Sequence, residues 1–172
     1  ITPPVGYLLD EEEHDVVCDY EGDMVAEVSR STTSAEEVIK QPFQLIKVSD
    51  NGEDTEAPTL ESAGFTVYLK SALSVKEDGS YNFDEAEPVV IGANGETQLF
   101  TDSKGHLVTT PIPYGTYVVI ETVTPKDMET IKPFEVIITE DNEEPQVWRV
   151  FIDREFTAKL RVIKKDADTG RT

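Results

Sequence analysis

Eight short runs of strand-forming residues, each closed by turn formers, set the strongest limit on how this chain can fold. They are residues 42–49, Gly64–Lys70, Val89–Ile91, Thr97–Phe100, His106–Thr109, Gly115–Val123, Phe134–Thr139 and Gln146–Asp153. Clusters such as Asp78-Gly79-Ser80, Ala93-Asn94-Gly95 and Asp102-Ser103-Lys104-Gly105 punctuate them, and these residues favour the backbone angles of turns. Many short strands with such punctuation predict an all-β sandwich. One short helix is expected at Ser34–Lys40, with Ser34 as N-cap and Glu37 three residues on as in a capping box. Residues 71–88 read as a long surface insertion carrying Tyr81 and Phe83.

Composition narrows the function. A hydrophobic content of 38% with seven Phe, six Tyr and one Trp is enough to build a core. The net charge of −20 argues against nucleic acid or an anionic membrane as partner, since both are polyanions. Cys18 is the only cysteine, so no disulfide can close within the chain. Two histidines and one cysteine make no zinc ligand set, and no cofactor is expected. No run of about 18 apolar residues is present to span a membrane.

Within the strands, three ionisable residues stand in apolar company. Lys47 shares a strand face with Phe43 and Leu45. Glu121 is in phase with Tyr117 and Val119, and Asp153 closes the last strand. A buried ammonium is costly unless paired, and burial favours the neutral, nucleophilic amine. Brought together in a β core, these three could form either a buried ion cluster or an amide bond. In the last strand, Asp153 alternates with Phe151 and Arg149, while Trp148, Val150 and Ile152 form the cleaner apolar face. A β-bulge could bring Asp153 into step; without one, Asp141 or Asn142 is the acceptor to consider.

The chain also repeats itself. Phe43-Gln-Leu-Ile-Lys47 recurs as Leu160-Arg-Val-Ile-Lys164, 117 residues on, and Thr2-Pro3 recurs as Thr124-Pro125 at a spacing near 122. Similar periods predict tandem domains. On this reading residues 1–33 are the tail of a preceding repeat and 34–41 a linker. Residues 42–158 are one complete sandwich, and 159–172 are the first strand of a following repeat. The fragment reads as a piece of a longer protein.

Across residues 42–153 the pieces Leu45-Ile-Lys47-Val-Ser, Ala63-Gly-Phe-Thr-Val-Tyr-Leu69, Tyr114-Gly-Thr-Tyr-Val-Val-Ile-Glu121-Thr-Val-Thr-Pro125 and Val150-Phe-Ile-Asp153 together resemble the Cna B-type (SpaA-like) domains of Gram-positive pilins and adhesins. The resemblance implies an immunoglobulin-like or prealbumin-like antiparallel β-sandwich. It further implies an isopeptide bond from Lys47 to Asp153, with Glu121 as proton shuttle. An Asp acceptor, in place of the commoner Asn, would release water and not ammonia. The implied role is a stalk module of a secreted, cell-wall-anchored surface protein, with neighbouring repeats as partners. It would cross-link itself once and turn over no substrate. The alternative is an adhesin module of the same fold that contacts a host extracellular ligand through residues 71–88.

The remaining features read as ordinary. The acidic runs Asp50–Asp54 and Glu140–Glu144 lack calcium-loop spacing and read as solvated loops. Cys18 reads as a small strand residue. His14 and His106 have no nucleophile in a recognisable motif. Trp148, Tyr114 and Tyr117 read as packing residues in preference to a sugar platform. A transthyretin-like enzyme would need polar catalytic residues clustered at one mouth of the sandwich, and none is evident.

Overall fold

Alternation along one strand organises the fold. In Phe43–Asp50 (β2), Phe43, Leu45 and Lys47 are buried while Gln44 and Ile46 are not, as a pleat with one covered face requires. The computed structural model describes residues 2–23, 30–50 and 59–154, and the backbone alone for 49–50 and 148–154. The elements in chain order are Lys40–Gln41 (β1), β2, Gly64–Leu69 (β3), a 3-10 turn at Lys70–Ala72, Ser74–Val75 (β4), Tyr81–Asn82 (β5), Gln98–Phe100 (β6), His106–Val108 (β7), Ile112–Pro113 (β8), Gly115–Val123 (β9), Phe134–Ile138 (β10) and Gln146–Arg154 (β11).

Two sheets face each other, ordered β10-β9-β3-β6 and β11-β2-β7, with small pairs β1-β8 and β4-β5 at the margins. Between them lie Phe43, Leu45, Phe65, Val67, Leu107, Tyr117, Val119, Val136 and Ile138, none more than 4% exposed. Every pairing is antiparallel except that of β11 with β2, which is parallel. The first and last long strands therefore run side by side in one direction. The sandwich is entered at one pole and left at the other.

The β11–β2 register contains a bulge. Gln146 and Val147 oppose Phe43 and Gln44; then Val150 opposes Ile46, leaving two residues of β11 against Leu45. From there Phe151 pairs with Lys47 and Asp153 with Ser49. Without the extra residue Asp153 would oppose Asp50, one position out of step with Lys47.

Several sequence expectations need correction. Residues 34–41 form no helix. Ser34 Oγ donates to Asp10 Oδ2 (2.5 Å) and so does not cap, while Leu8 N donates to Glu37 O (2.8 Å) and Ile39 N to Gly6 O (2.9 Å). These pairings, with the bridge between Tyr7 and Val38, hold the segment extended against the capping signal. Val89–Ile91 is not a strand. Its backbone bonds go to Val67, Glu96 and Thr110 separately, so no ladder forms, although Ile91 is fully buried. Cys18 lies exposed in coil, where Glu11, Glu12, Glu13, Asp15 and Asp19 leave no apolar face to bury. The Asp50–Asp54 loop beyond Asp50, and residues 159–172 with Lys164, lie outside the described residues.

Two turns of the same construction lie 121 residues apart. Tyr7 N donates to Pro4 O (3.1 Å) around Gly6 at φ +90°, and Met128 N donates to Pro125 O (3.2 Å) around Asp127 at φ +65°. Tyr7 and Met128 each make a single-residue β-bridge. Backbone geometry thus aligns Pro4, not Pro3, with Pro125.

The turn Asp102–Gly105 presses on β2. Asp102 Oδ1 accepts from Lys104 N and His106 N, Lys47 N donates to Gly105 O (2.7 Å), and Leu60 N donates to Lys47 O (3.0 Å). A Cβ on Gly105 (φ +68°) would lie 2.2 Å from Lys47 O, whereas one on Gly79 (φ +83°) meets nothing. Gly79→Ala should cost about 1–2 kcal/mol, the left-handed backbone penalty alone. Gly105→Ala must also displace backbone and should exceed about 3 kcal/mol. Denaturant unfolding of the two variants checks this, and equal losses would refute the close approach.

Candidate functional site

The lysine and the glutamate singled out from the sequence meet in the interior. Lys47 projects from the central strand of one sheet and Glu121 from β9 of the other. Nζ lies 3.1 Å from Oε1, and neither side chain has any exposure. Glu121 is placed by β9, where Tyr117 and Val119 precede it on the inward face and the register slips between Gly64 and Phe65 of β3. The slip leaves Thr122 as an extra residue, its hydroxyl bound to Gly64 O (3.2 Å) and to Gln98 Nε2 (2.6 Å). Phe65 pairs with Glu121 across the strands, and its ring centroid is 5.7 Å from the lysine nitrogen, a cation–π distance. The other carboxyl oxygen, Oε2, accepts from the backbone N–H of Ile131 (2.9 Å). Phe65 and Ile131 are site members that sequence reasoning missed. The inward phase of Phe65 was legible, but a backbone donor in a loop has no sequence signal.

Asp153 enters through its backbone register only. It lies two residues beyond the partner of Lys47 on the adjoining parallel strand, a Cα separation of about 8 Å by strand geometry. That gap is within reach of a lysine and an aspartate side chain joined end to end. The other acceptors considered lie elsewhere. Asp141 and Asn142 are exposed, Asp141 Oδ1 accepting from Lys40 N (2.8 Å) and Asn142 Oδ1 from Glu144 N (2.9 Å). Lys40 stands seven residues before Lys47, about 23 Å along an extended strand.

The insertion at 71–88 folds back onto the outer face of the larger sheet. Tyr81 donates to Glu135 Oε1 (2.6 Å), and Lys70 Nζ lies 2.7 Å and 2.9 Å from the two Glu135 oxygens. The Phe83 ring packs against Tyr68 at 5.1 Å and Tyr81 at 6.3 Å. Beneath them Val118, which points away from the core, is nonetheless fully buried. Tyr117 donates to Pro113 O (2.7 Å) inside the sandwich, and Tyr114 covers Gly6; the side chain of Trp148 lies outside the described residues. His14 pairs with Asp10 and His106 with Gln44. Among the described residues no group of three His, Cys, Asp or Glu is arranged to hold a metal. No helix among them is long and apolar enough to cross a membrane.

Two facing sheets, closed by a parallel pairing of first and last long strands among the described residues and enclosing a lysine and a glutamate, define a prealbumin-like sandwich. The family model of the SpaA prealbumin-like fold domain matches residues 41–149, well over half of the chain, and the protein belongs to that family. Among solved structures it is similar to the Bacillus anthracis TIE protein, with 21% identity, a TM-score of 0.52, and coverage of 90% of this chain and 24% of that one. It is also similar to GBS52, the minor pilin of the Gram-positive pathogen Streptococcus agalactiae, with 20% identity, a TM-score of 0.50, and coverage of 75% and 51%. The chain thus spans about a quarter and about half of these two proteins. Comparison with curated proteins gives no match.

The outer network predicts an acid dependence. Hydrogen bonds from Lys70 and then Tyr81 hold the Glu135 carboxyl below its ordinary value of 4.5. A depressed carboxyl adds stability that is complete above the ordinary value and is lost as pH falls below it. Glu135→Gln should therefore be less stable than wild type near neutrality, with the two converging in acid. Thermal melts across the range check this, and a gap that persists in acid would contradict it.

Proposed function

We propose that this chain is a structural stalk module of a pilin-like or adhesin-like surface protein, exported to the Gram-positive cell wall and locked by an amide bond between Lys47 and Asp153. The observation that carries the reading is the fully enclosed Lys47–Glu121 pair beside a parallel last strand on which Asp153 is in step with Lys47. Family membership and the fold it shares with a minor pilin support it. In this reading residues 42–158 are the complete module, with 1–33 and 159–172 belonging to its neighbours. The duplicated Pro-containing turn supports that division.

The chemistry follows from the residue types. The reaction takes the Lys47 amine and the Asp153 carboxyl in their neutral forms: the amine attacks the carboxyl carbon, and a C–N bond forms as the C–OH bond breaks. Glu121 gives a proton to the departing oxygen and takes one from the amine. Water leaves, and Glu121 ends as it began. Nothing is turned over, because the product is the protein itself.

The topology gives the bond a purpose. Load enters at the start of β2 and leaves at the end of β11, so the two parallel strands are pulled past each other. A covalent link between them carries that load without opening the sandwich. It also closes a loop of 107 residues, which by the chain-entropy model for disulfides restricts the unfolded state by about 4–5 kcal/mol. Against typical domain stabilities of about 5–15 kcal/mol this is a large share. The insertion fits the same role: Tyr81 and Phe83 are half-buried against their own sheet.

Intact mass tests the reading. The folded protein should weigh one water less than its sequence, and Lys47→Ala, Glu121→Ala and Asp153→Ala should each restore the full mass. Asp153→Asn should still close, with loss of ammonia. Glu121→Ala should melt more than about 10 °C lower. A full-mass wild type after complete folding would sink the cross-link. Retained loss in Asp153→Ala would move the acceptor.

A further inference from the structure

We propose that the backbone N–H of Ile131 is a positioning group that decides which oxygen of Glu121 moves the proton, holding Oε2 as a fixed acceptor and leaving Oε1 as the working oxygen. The inference rests on the cross-linking reading above and deepens it. Ile131 N donates to Oε2 at 2.9 Å, while Oε1 lies 3.1 Å from Lys47 Nζ. A carboxylic acid has one good acceptor, its C=O oxygen, and one O–H. With an N–H already aimed at Oε2, the acid settles with its C=O there and its O–H at Oε1. Both proton movements, to the departing oxygen and from the amine, then pass through Oε1. No exposed water competes, since the Glu121 side chain is fully enclosed.

The loop that supplies the N–H is tied for the task. Thr124 and Thr130 join their hydroxyls at 2.7 Å, closing the loop one residue before Ile131. Met128 N donates to Pro125 O inside it, and the Ile131 side chain packs against the core cluster. The donor is therefore anchored by the residue before it and by its own side chain.

The test replaces the Thr130–Ile131 amide of the full chain with an ester, which removes the N–H and keeps every side chain. Chains assembled by ligation are obtained unfolded and unreacted, so water loss can be timed by mass after refolding. The ester chain should lose water about tenfold more slowly than the all-amide chain. The infrared C=O stretch of the Glu121 acid, assigned by its disappearance in Glu121→Gln, should rise in frequency when its N–H partner is gone, which an N–H aimed at the O–H oxygen would not cause. Should the ester chain not fold, Thr124→Val, which unties the loop and keeps the amide, is read in the same two ways. An unchanged rate, whether or not the band shifts, overturns the positioning role while the cross-link stands. An all-amide chain that keeps its full mass overturns both.

Discussion

An enclosed lysine–glutamate pair is the constraint on which this sandwich depends. Removing two ionisable groups from water costs several kcal/mol each, and the pair recovers this only with good geometry and further hydrogen bonds. Those supports are present: the Ile131 N–H on Oε2, the Phe65 ring facing Nζ, and the Lys47 backbone held by Gly105 and Leu60. Replacing such a pair by well-packed apolar residues is often neutral or stabilising, so stability alone gives little reason to keep it. A site whose occupants must be dry, close and ionisable is what a condensation between side chains requires. On the proposed reading, the pair serves chemistry as well as support.

The second constraint is topological. A sandwich built from hairpins alone would bring neighbouring strands together in antiparallel fashion and often leave both ends of the chain at one pole. Here β11 returns to lie parallel to β2. Parallel neighbours pulled from opposite ends must break their hydrogen bonds together, whereas a hairpin pulled from one end loses them in succession. The bulge belongs to the same design. One extra residue at Trp148–Arg149 brings Phe151 opposite Lys47 and Asp153 opposite Ser49, a register that a regular strand continuing from Gln146 and Val147 would miss by one.

Much of this was legible in the sequence, for identifiable reasons. Period-two alternation put Lys47 with Phe43 and Leu45, and Glu121 with Tyr117 and Val119, because burial of one sheet face enforces that phase. Gly115–Val123 emerged with the bounds its composition suggests. Legibility failed where distant contacts overrode local preference. Ser34 has the chemistry of a cap but spends its hydroxyl on Asp10, and Val89–Ile91 has strand composition but finds no continuous partner. The bulge was foreseeable as a need of Asp153 but not as a location. The Ile131 donor was invisible, since every non-proline residue carries the same N–H.

The flanking contact bears on the proposed tandem arrangement. Residues 6–8 join 37–39 by backbone hydrogen bonds, and Gly6 lies so close to the Tyr114 ring that a Cβ would approach it to 2.8 Å. Such a seam resists bending better than a free linker, because bending must break paired backbone groups and not merely rotate side chains. The turn at Pro4–Tyr7 recurs at Pro125–Met128, 121 residues on. If the first turn is the tail of a preceding repeat, each module both seats its predecessor's turn and offers its own. On that proposal, stiffness at the joints and the proposed covalent lock within each sandwich would serve one end, since a rod is only as inextensible as its weakest segment.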